Sequence, residues 1–213
     1  MILETLVVGS FMENTYIVAS EKTKEAAVID PGADSKKILA SIEKLGVNVK
    51  YILITHGHID HIGAVARVKE ATGATYAIHP NDIPLAKAQR GFFGAMPGVS
   101  EPPEPDLQLK EGDVFSIGEF ELKVVETPGH TPGGVSFVGD GVVFSGDTLF
   151  QGSVGRTDFP GGDWDLLLDR IRTRLFVLPD DTVVLSGHGP ETTIKQEKLY
   201  NPFAGTKAKL WTP

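Results

Sequence analysis

Apolar residues recur along this chain in short runs, and their period changes from segment to segment. Ile2–Val8, Thr15–Ala19 and Glu25–Ile29 have the length and β-branched content of strands, the third ending in the turn Asp30-Pro31-Gly32. From Lys36 to Leu45 the apolar positions fall at helical spacing and stop before Gly46, which predicts a helix. Tyr51–Thr55 reads as a strand buried on both faces. Asp60 stands where it can cap a helix running to Ala71 and ended by Gly73, and Thr75–Ile78 returns as a strand.

Between Asn81 and Pro105 the periodicity fails, and the Pro/Gly-rich stretch predicts a long irregular loop. Its Phe92-Phe93-Gly94 and Met96-Pro97 are candidates for a substrate-cleft wall or for a hydrophobic lid over the core. The second half repeats the style of the first. Strands are expected at Val114–Ser116, Glu119–Glu126, Val135–Val138 and Val142–Ser145, with Asp140-Gly141 as a hairpin turn. A helix is expected over Asp163–Phe176, a last strand at Val183–Ser186 and a short final helix over Thr192–Tyr200. Strands alternating with helices in both halves predict an α/β protein of two packed sheets with helices outside, one domain over residues 1–213.

Composition narrows the chemistry. Glycine (24) and proline (14) are in excess without forming a low-complexity tract, as many tight turns require. No apolar run approaches the about 18 residues that a membrane span needs, so no membrane association is expected. The N-terminus has no basic region of the kind that opens a signal peptide. A net charge of −8 argues against a nucleic-acid partner. Cysteine is absent, which removes disulfides, thiol nucleophiles and thiolate ligands together and suggests a cytoplasmic enzyme.

Five of the six histidines sit in three glycine- or proline-flanked turns: Thr55-His56-Gly57-His58-Ile59-Asp60-His61, Pro128-Gly129-His130-Thr131-Pro132-Gly133 and Ser186-Gly187-His188-Gly189-Pro190. In extended backbone, residues two apart point the same way, so His56 and His58 can grip one ion. Where the chain turns into a helix, Asp60 and His61 are redirected to a second point, and Gly57 and Gly63 permit the close backbone approach this needs. His130 can complete the first set and His188 the second. Asp147, in Ser145-Gly146-Asp147-Thr148, has two carboxylate oxygens with which to bridge ions about 3.5–4 Å apart. Imidazole with carboxylate suits zinc, iron or manganese, so two divalent metal ions are expected, zinc first. His79 reads as an ordinary satisfied histidine, and Asp30 as structural or as a support for a ligand's other nitrogen.

This order of motifs resembles the metallo-β-lactamase fold superfamily across essentially the whole chain. The resemblance implies an αββα four-layer sandwich with metals at one edge of the two sheets. It also implies His56, His58 and His130 on one metal, Asp60, His61 and His188 on the other, and Asp147 between them. Gly146-Asp147-Thr148-Leu149-Phe150 and Gly155-Arg156-Thr157-Asp158-Phe159 resemble the glyoxalase II (hydroxyacylglutathione hydrolase) branch, in particular its short single-domain members. Only residues 189–213 follow His188, so that branch's C-terminal helical substrate domain is not expected. Arg156 falls where the branch carries a basic residue that meets glutathione's glycine carboxylate, a task suited to a guanidinium; a structural ion pair with a neighbouring carboxylate is the other reading. Asp158 replaces a tyrosine of the branch.

The expected function is therefore hydrolysis of a small-molecule, thiol-derived thioester of the S-lactoylglutathione type by a metal-bridging hydroxide. Asp60 would orient the water and accept its proton. Two rivals share the motif. A persulfide dioxygenase would use a single iron on His56, His130 and Asp147. A lactone or ester hydrolase would want a proton donor for its alkoxide.

Overall fold

The computed structural model describes residues 1–89, 91, 99–206 and 208. The first half runs β1 (Ile2–Val8), β2 (Glu13–Ala19), β3 (Glu25–Ile29), α1 (Ser35–Leu45), β4 (Asn48–Leu53), α2 (Ile59–Ile62), α3 (Val65–Thr72), β5 (Thr75–Ile78), a 3-10 turn (Pro80–Asp82), α4 (Ile83–Ala88) and β6 (Leu107–Gln108). The second runs β7 (Val114–Ile117), β8 (Phe120–Glu126), β9 (Val135–Gly139), β10 (Val142–Gly146), β11 (Leu149–Phe150), β12 (Ser153–Val154), α5 (Trp164–Arg170) with a π turn (Ile171–Leu175), β13 (Val183–Ser186), β14 (Thr192–Thr193) and α6 (Ile194–Tyr200).

Two six-stranded sheets result, ordered β1-β2-β3-β4-β5-β6 and β14-β13-β10-β9-β8-β7. Alternation of side chains along each strand sorts the apolar residues into three layers. Val18, Ala27, Ile29 and Leu53 of the first sheet pack against Phe115, Leu122, Phe137 and Phe144 of the second. Their neighbours Ile17, Val28 and Ile52 point the other way, onto Ile38 and Ile42 of α1 and Val65 and Val68 of α3. Val143 and Val184 on the outer face of the second sheet meet Leu167 of α5, Ile171 and Leu175 of the π turn and Ile194 of α6. Each such fully buried aliphatic side chain stabilises by roughly 1.5–3 kcal/mol, and strands buried on both faces explain why their sequences read as runs rather than clean alternation. The layers are helix, sheet, sheet, helix, as expected.

Three local expectations change. His58, not Asp60, occupies the N-cap of α2, and Asp60 lies inside its first turn. The helix expected to reach Ala71 is broken at Gly63-Ala64, because the Ala64 N–H donates to Pro31 O at 2.8 Å instead of continuing the helical ladder. The stretch Asn81–Pro105 is not all irregular: Asp82 is buried and Ile83–Ala88 is helical. The Phe92-Phe93-Gly94 and Met96-Pro97 segment lies outside the described residues.

Parallel pairing positions the site. β3, β4 and β5 run parallel in the first sheet, and β10 and β13 in the second. Asp30 follows β3, Thr55 and His56 follow β4, Asp147 follows β10 and His188 follows β13, so these donors all leave carboxyl ends of strands. The sheets are tied together there. Asn14 N–H donates to Gly187 O at 2.7 Å and Val135 N–H to Thr55 O at 2.8 Å.

Candidate metal centre

The seven side chains singled out in the sequence converge on one cleft. His56 Nε2 and His130 Nε2 lie 2.9 and 3.0 Å from His58 Nδ1. Beside this trio, His188 Nε2 lies 3.2 Å and His61 Nε2 3.9 Å from Asp60 Oδ2. Asp147 stands between the two groups, with Oδ1 3.5 Å from His61 Nε2 and Oδ2 3.6 Å from His130 Nε2 and 3.8 Å from His188 Nε2.

The supports of the rings decide which nitrogen faces inward. His61 Nδ1 lies 2.9 Å from Asp30 Oδ2, which also accepts the Thr55 hydroxyl at 2.5 Å, while Asp30 Oδ1 accepts the Thr55 N–H at 2.7 Å. With its own proton committed to Asp30, Thr55 Oγ1 can only accept from His56 Nδ1, 3.2 Å away. His130 Nδ1 donates to Arg156 O at 2.7 Å, and His188 Nδ1 to Phe11 O at 3.1 Å. Assigned this way, the other ring nitrogens of His56, His61, His130 and His188 carry lone pairs aimed into the cleft.

Lone pairs aimed at one another and at carboxylates repel unless a cation lies between them. Buried His61 Nε2 and Asp147 Oδ1 have no hydrogen-bond partner, an arrangement that costs free energy in isolation and suits a dication. The donor set therefore fits divalent metal ions. Without a metal, the surrounding acids draw positive charge onto His61 as a proton instead. Burial opposes charge on His61, but Asp147, Asp30 and Asp60 outweigh it and raise its pKa well above the ordinary value. Burial pushes the Asp60 and Asp147 carboxyls up, yet His61 first, and His188 with it, holds both below their usual range. Burial and the neighbouring histidines lower His58 to about 4 and His56 well below its ordinary value, so both are neutral at pH 7, the form that can bind a metal.

Backbone approach at the centre is close. A Cβ on Gly187 would lie 2.4 Å from Asp147 Oδ1 and 2.6 Å from His61 Cε1. One on Gly57 would lie 2.7 Å from Asp82 O, and one on Gly63 2.4 Å from Gly32 O.

Two buried acids went unnoticed in the sequence. Asp82 accepts the Gly57 N–H and the Thr131 hydroxyl on Oδ2 (2.8 and 2.7 Å) and the Gly133 N–H on Oδ1 (2.6 Å), clamping two histidine turns together. Glu13 is wholly buried near Asp30 and His61, and burial raises its pKa well above the usual value. Neither carries a local signal, since isolated acids in turns and strand starts are ordinary. His79, as expected, has ordinary roles: it lies 3.4 Å from Glu126 Oε1 and accepts the Asn81 N–H.

The cleft above the centre has a volume of about 290 Å³, and Phe11, Ile59, Gln89, Arg156 and Phe159 are among its lining residues. Gln89 donates to Gly57 O and accepts from Ile59 N–H, steadying the first histidine turn. Arg156 is held by Asp158 through two hydrogen bonds, at 2.7 and 2.6 Å, and lies 4.0 Å over the Phe159 ring. That ring meets His58 edge-on at 5.9 Å.

The profile of the metallo-beta-lactamase superfamily matches residues 8–188. The chain belongs to that superfamily. Among similar proteins is the hydroxyacylglutathione hydrolase GloC of Haemophilus influenzae, 38% identical over 98% of this chain and all of GloC. Similar solved structures include TTHA1623 in a di-iron-bound form, 39% identical with a TM-score of 0.84 over 94% of this chain and 99% of that one. Another is ETHE1 from Myxococcus xanthus, 32% identical with a TM-score of 0.81 over 96% of this chain and 85% of that one. Superfamily and donor cluster together make this a metal-binding protein of metallo-hydrolase type. No helix among the described residues is long and apolar enough to cross a membrane.

Proposed function

We propose that this protein is a two-metal hydrolase of small-molecule acyl thioesters, with glutathione-type thioesters such as S-lactoylglutathione as the first substrates to test. One observation carries the choice of thioester. Apart from the candidate metal donors, the described residues lining the cleft include no side chain free to protonate a leaving group. Gln89 is engaged with Gly57 and Ile59, and Arg156 with Asp158. None of the four tyrosines is among those residues, and the Tyr16 hydroxyl donates to Ser186 O at 2.7 Å. A thiolate, with a pKa near about 8.5, departs without an acid; an alkoxide does not. This disfavours lactones and esters.

His56, His58 and His130 would hold one ion, Asp60, His61 and His188 the other, and Asp147 both. When bound, two divalent ions supply a water acidic enough to ionise near neutral pH and polarise a carbonyl. Asp60, at the rim of the pair, orients the attacking water and accepts its proton. Asp30, Thr55, Arg156 O and Phe11 O hold the four rings so that no reorganisation accompanies the reaction. Phe11, Ile59 and Phe159 keep bulk water from one side of the thioester.

Zinc is the first metal to try, with iron and manganese beside it, and similarity to a di-iron form keeps iron in contention. Protein loaded separately with each metal should hydrolyse S-lactoylglutathione or another acyl thioester and contain two metals per chain. Absence of turnover on every acyl thioester would end the proposal. Similarity to ETHE1 and the nearness of His130 and Asp147 favour the single-iron persulfide dioxygenase as second reading. One iron per chain with oxygen uptake on glutathione persulfide would establish it.

A further inference from the structure

Glu13 is wholly buried, yet one of its carboxyl oxygens, Oε1, has no hydrogen-bond partner. Its neighbours lead to the donors of one ion. An oxygen of Glu13, an oxygen of Asp30 and a ring nitrogen of His61 all lie within 4.8 Å of one another. The Glu13 backbone pairs with that of His188 in an antiparallel bridge. A Cβ on Gly32 would lie 2.8 Å from Glu13 Oε2 and would clash with Asp60 O, so Glu13 and Asp60 both crowd this one backbone position.

Hydrogen bonding fixes the form of the acid. Thr15 Oγ1 lies 2.8 Å from Asp30 O and 3.0 Å from Glu13 Oε2, accepts the Gly32 N–H at 3.4 Å, and has one proton to give. A carbonyl oxygen can only accept, so that proton goes to Asp30 O, and the Glu13 contact is filled by a proton on Glu13. Burial favours the same neutral form, which leaves Oε1 as an unpaired carbonyl rather than half of an unpaired anion. We propose that Glu13 is a positioning residue of the second metal position: as a neutral acid it donates to Thr15 Oγ1 and turns the Thr15 hydroxyl onto Asp30 O. Asp30 is held there with φ 48°, in the left-handed region. From that strained backbone its carboxylate reaches Thr55 and His61 Nδ1. Chained hydrogen bonds polarise one another, so losing the first link loosens the last. The inference rests on the two-metal reading for the division of donors and on nothing about the substrate.

Chelator competition on zinc-loaded protein reads the two equivalents separately. Glu13→Leu should weaken the second equivalent about tenfold and the first by less than about twofold. Glu13→Gln, whose amide can still donate to Thr15, should stay within about threefold of wild type at both. Thr15→Val removes the middle of the relay and should match Glu13→Leu, and the double variant should be no weaker than either single one. In the same zinc-loaded proteins the His61 Nδ1 proton, followed by NMR, should shift in Glu13→Leu and Thr15→Val and keep its place in Glu13→Gln. Equal weakening of both equivalents, a Glu13→Gln protein as weak as Glu13→Leu, or additive losses in the double variant overturns the proposal. Should Glu13→Leu fail to fold, the contrast between Glu13→Gln and Thr15→Val decides. A wild type that holds a single ion would end the two-metal reading, and the NMR contrast would then decide on its own whether Glu13 positions His61.

Discussion

The first sheet supplies His56, His58, Asp60 and His61 from one continuous stretch that runs from the end of β4 into α2. The second supplies His130, Asp147 and His188 from three turns far apart in the chain. The first set is organised locally: period two in extended backbone, then a helical turn that redirects the last two donors. The second set is organised by register. Gly187 N–H donates to Gly146 O at 2.8 Å, so Asp147 and His188 emerge together from parallel neighbours β10 and β13. A local arrangement tolerates loosening elsewhere, whereas one set by register depends on the pairing of β10 with β13 within the second sheet. The two halves also share supports. Asp30 serves donors of the first, and Asp82 fastens the first to the second.

Removing Asp147 should break the comparison most severely, because its two oxygens face donors from both sheets. Asp147→Ala is expected to lower thioester turnover by about a thousandfold, the equivalent of several kcal/mol. Metal content should fall below two per chain; a variant that retains two metals would show that the halves do not depend on this residue.

Asp30→Asn sharpens the view of the first half. An amide cannot accept from the Thr55 N–H, the Thr55 hydroxyl and His61 Nδ1 together, so the second equivalent of metal should bind about 10–100-fold more weakly, read by chelator competition. Equal weakening of both equivalents would instead make Asp30 a general scaffold residue.

Asp82→Asn tests the fastening between the halves. It replaces one acceptor oxygen by a donor facing Gly57, Thr131 or Gly133, at a cost of about 2–3 kcal/mol. Thermal unfolding should fall by roughly 5–10 °C. A smaller effect on His188-side chemistry than on the His58–His130 pair is expected, since Asp82 touches only the turns carrying the latter.

Acid gives the mildest probe. In metal-free protein His58 stays neutral down to about 4 and burial likewise holds His56 well below its ordinary value, while both take a proton near 6.5 when unfolded. Between those values the unfolded chain binds more protons, so stability falls as pH drops from 6.5 towards 4, by up to about 3 kcal/mol for His58. His61 acts oppositely: its raised pKa contributes stability present below 6.5 and lost as pH climbs through the folded value. Denaturant unfolding of metal-free protein should therefore show a maximum near 6.5, and His58→Asn should flatten the acid limb. An unchanged acid limb would move that titration elsewhere.

Much of this was legible beforehand. Strand and helix runs at Glu25–Ile29, Ser35–Leu45 and Val183–Ser186 were marked by period and by turn residues. The contiguous motif His56–His61 announced itself because four potential ligands in six residues are hard to explain otherwise. The break at Gly63-Ala64 was hidden, since it depends on Pro31, a partner distant in sequence. So did the helix Ile83–Ala88 escape notice, and with it the burial of Asp82 between two turns.

Residue identity and local spacing alone determined the layer order, the absence of thiolate chemistry and the donor inventory, because these follow from side-chain chemistry and backbone period. Tertiary structure decided which ring nitrogens face inward, which acids support them and whether Arg156 is free. Those are properties of pairs far apart in the chain, or of a rotamer choice between neighbours, and only packing brings such partners within hydrogen-bond reach.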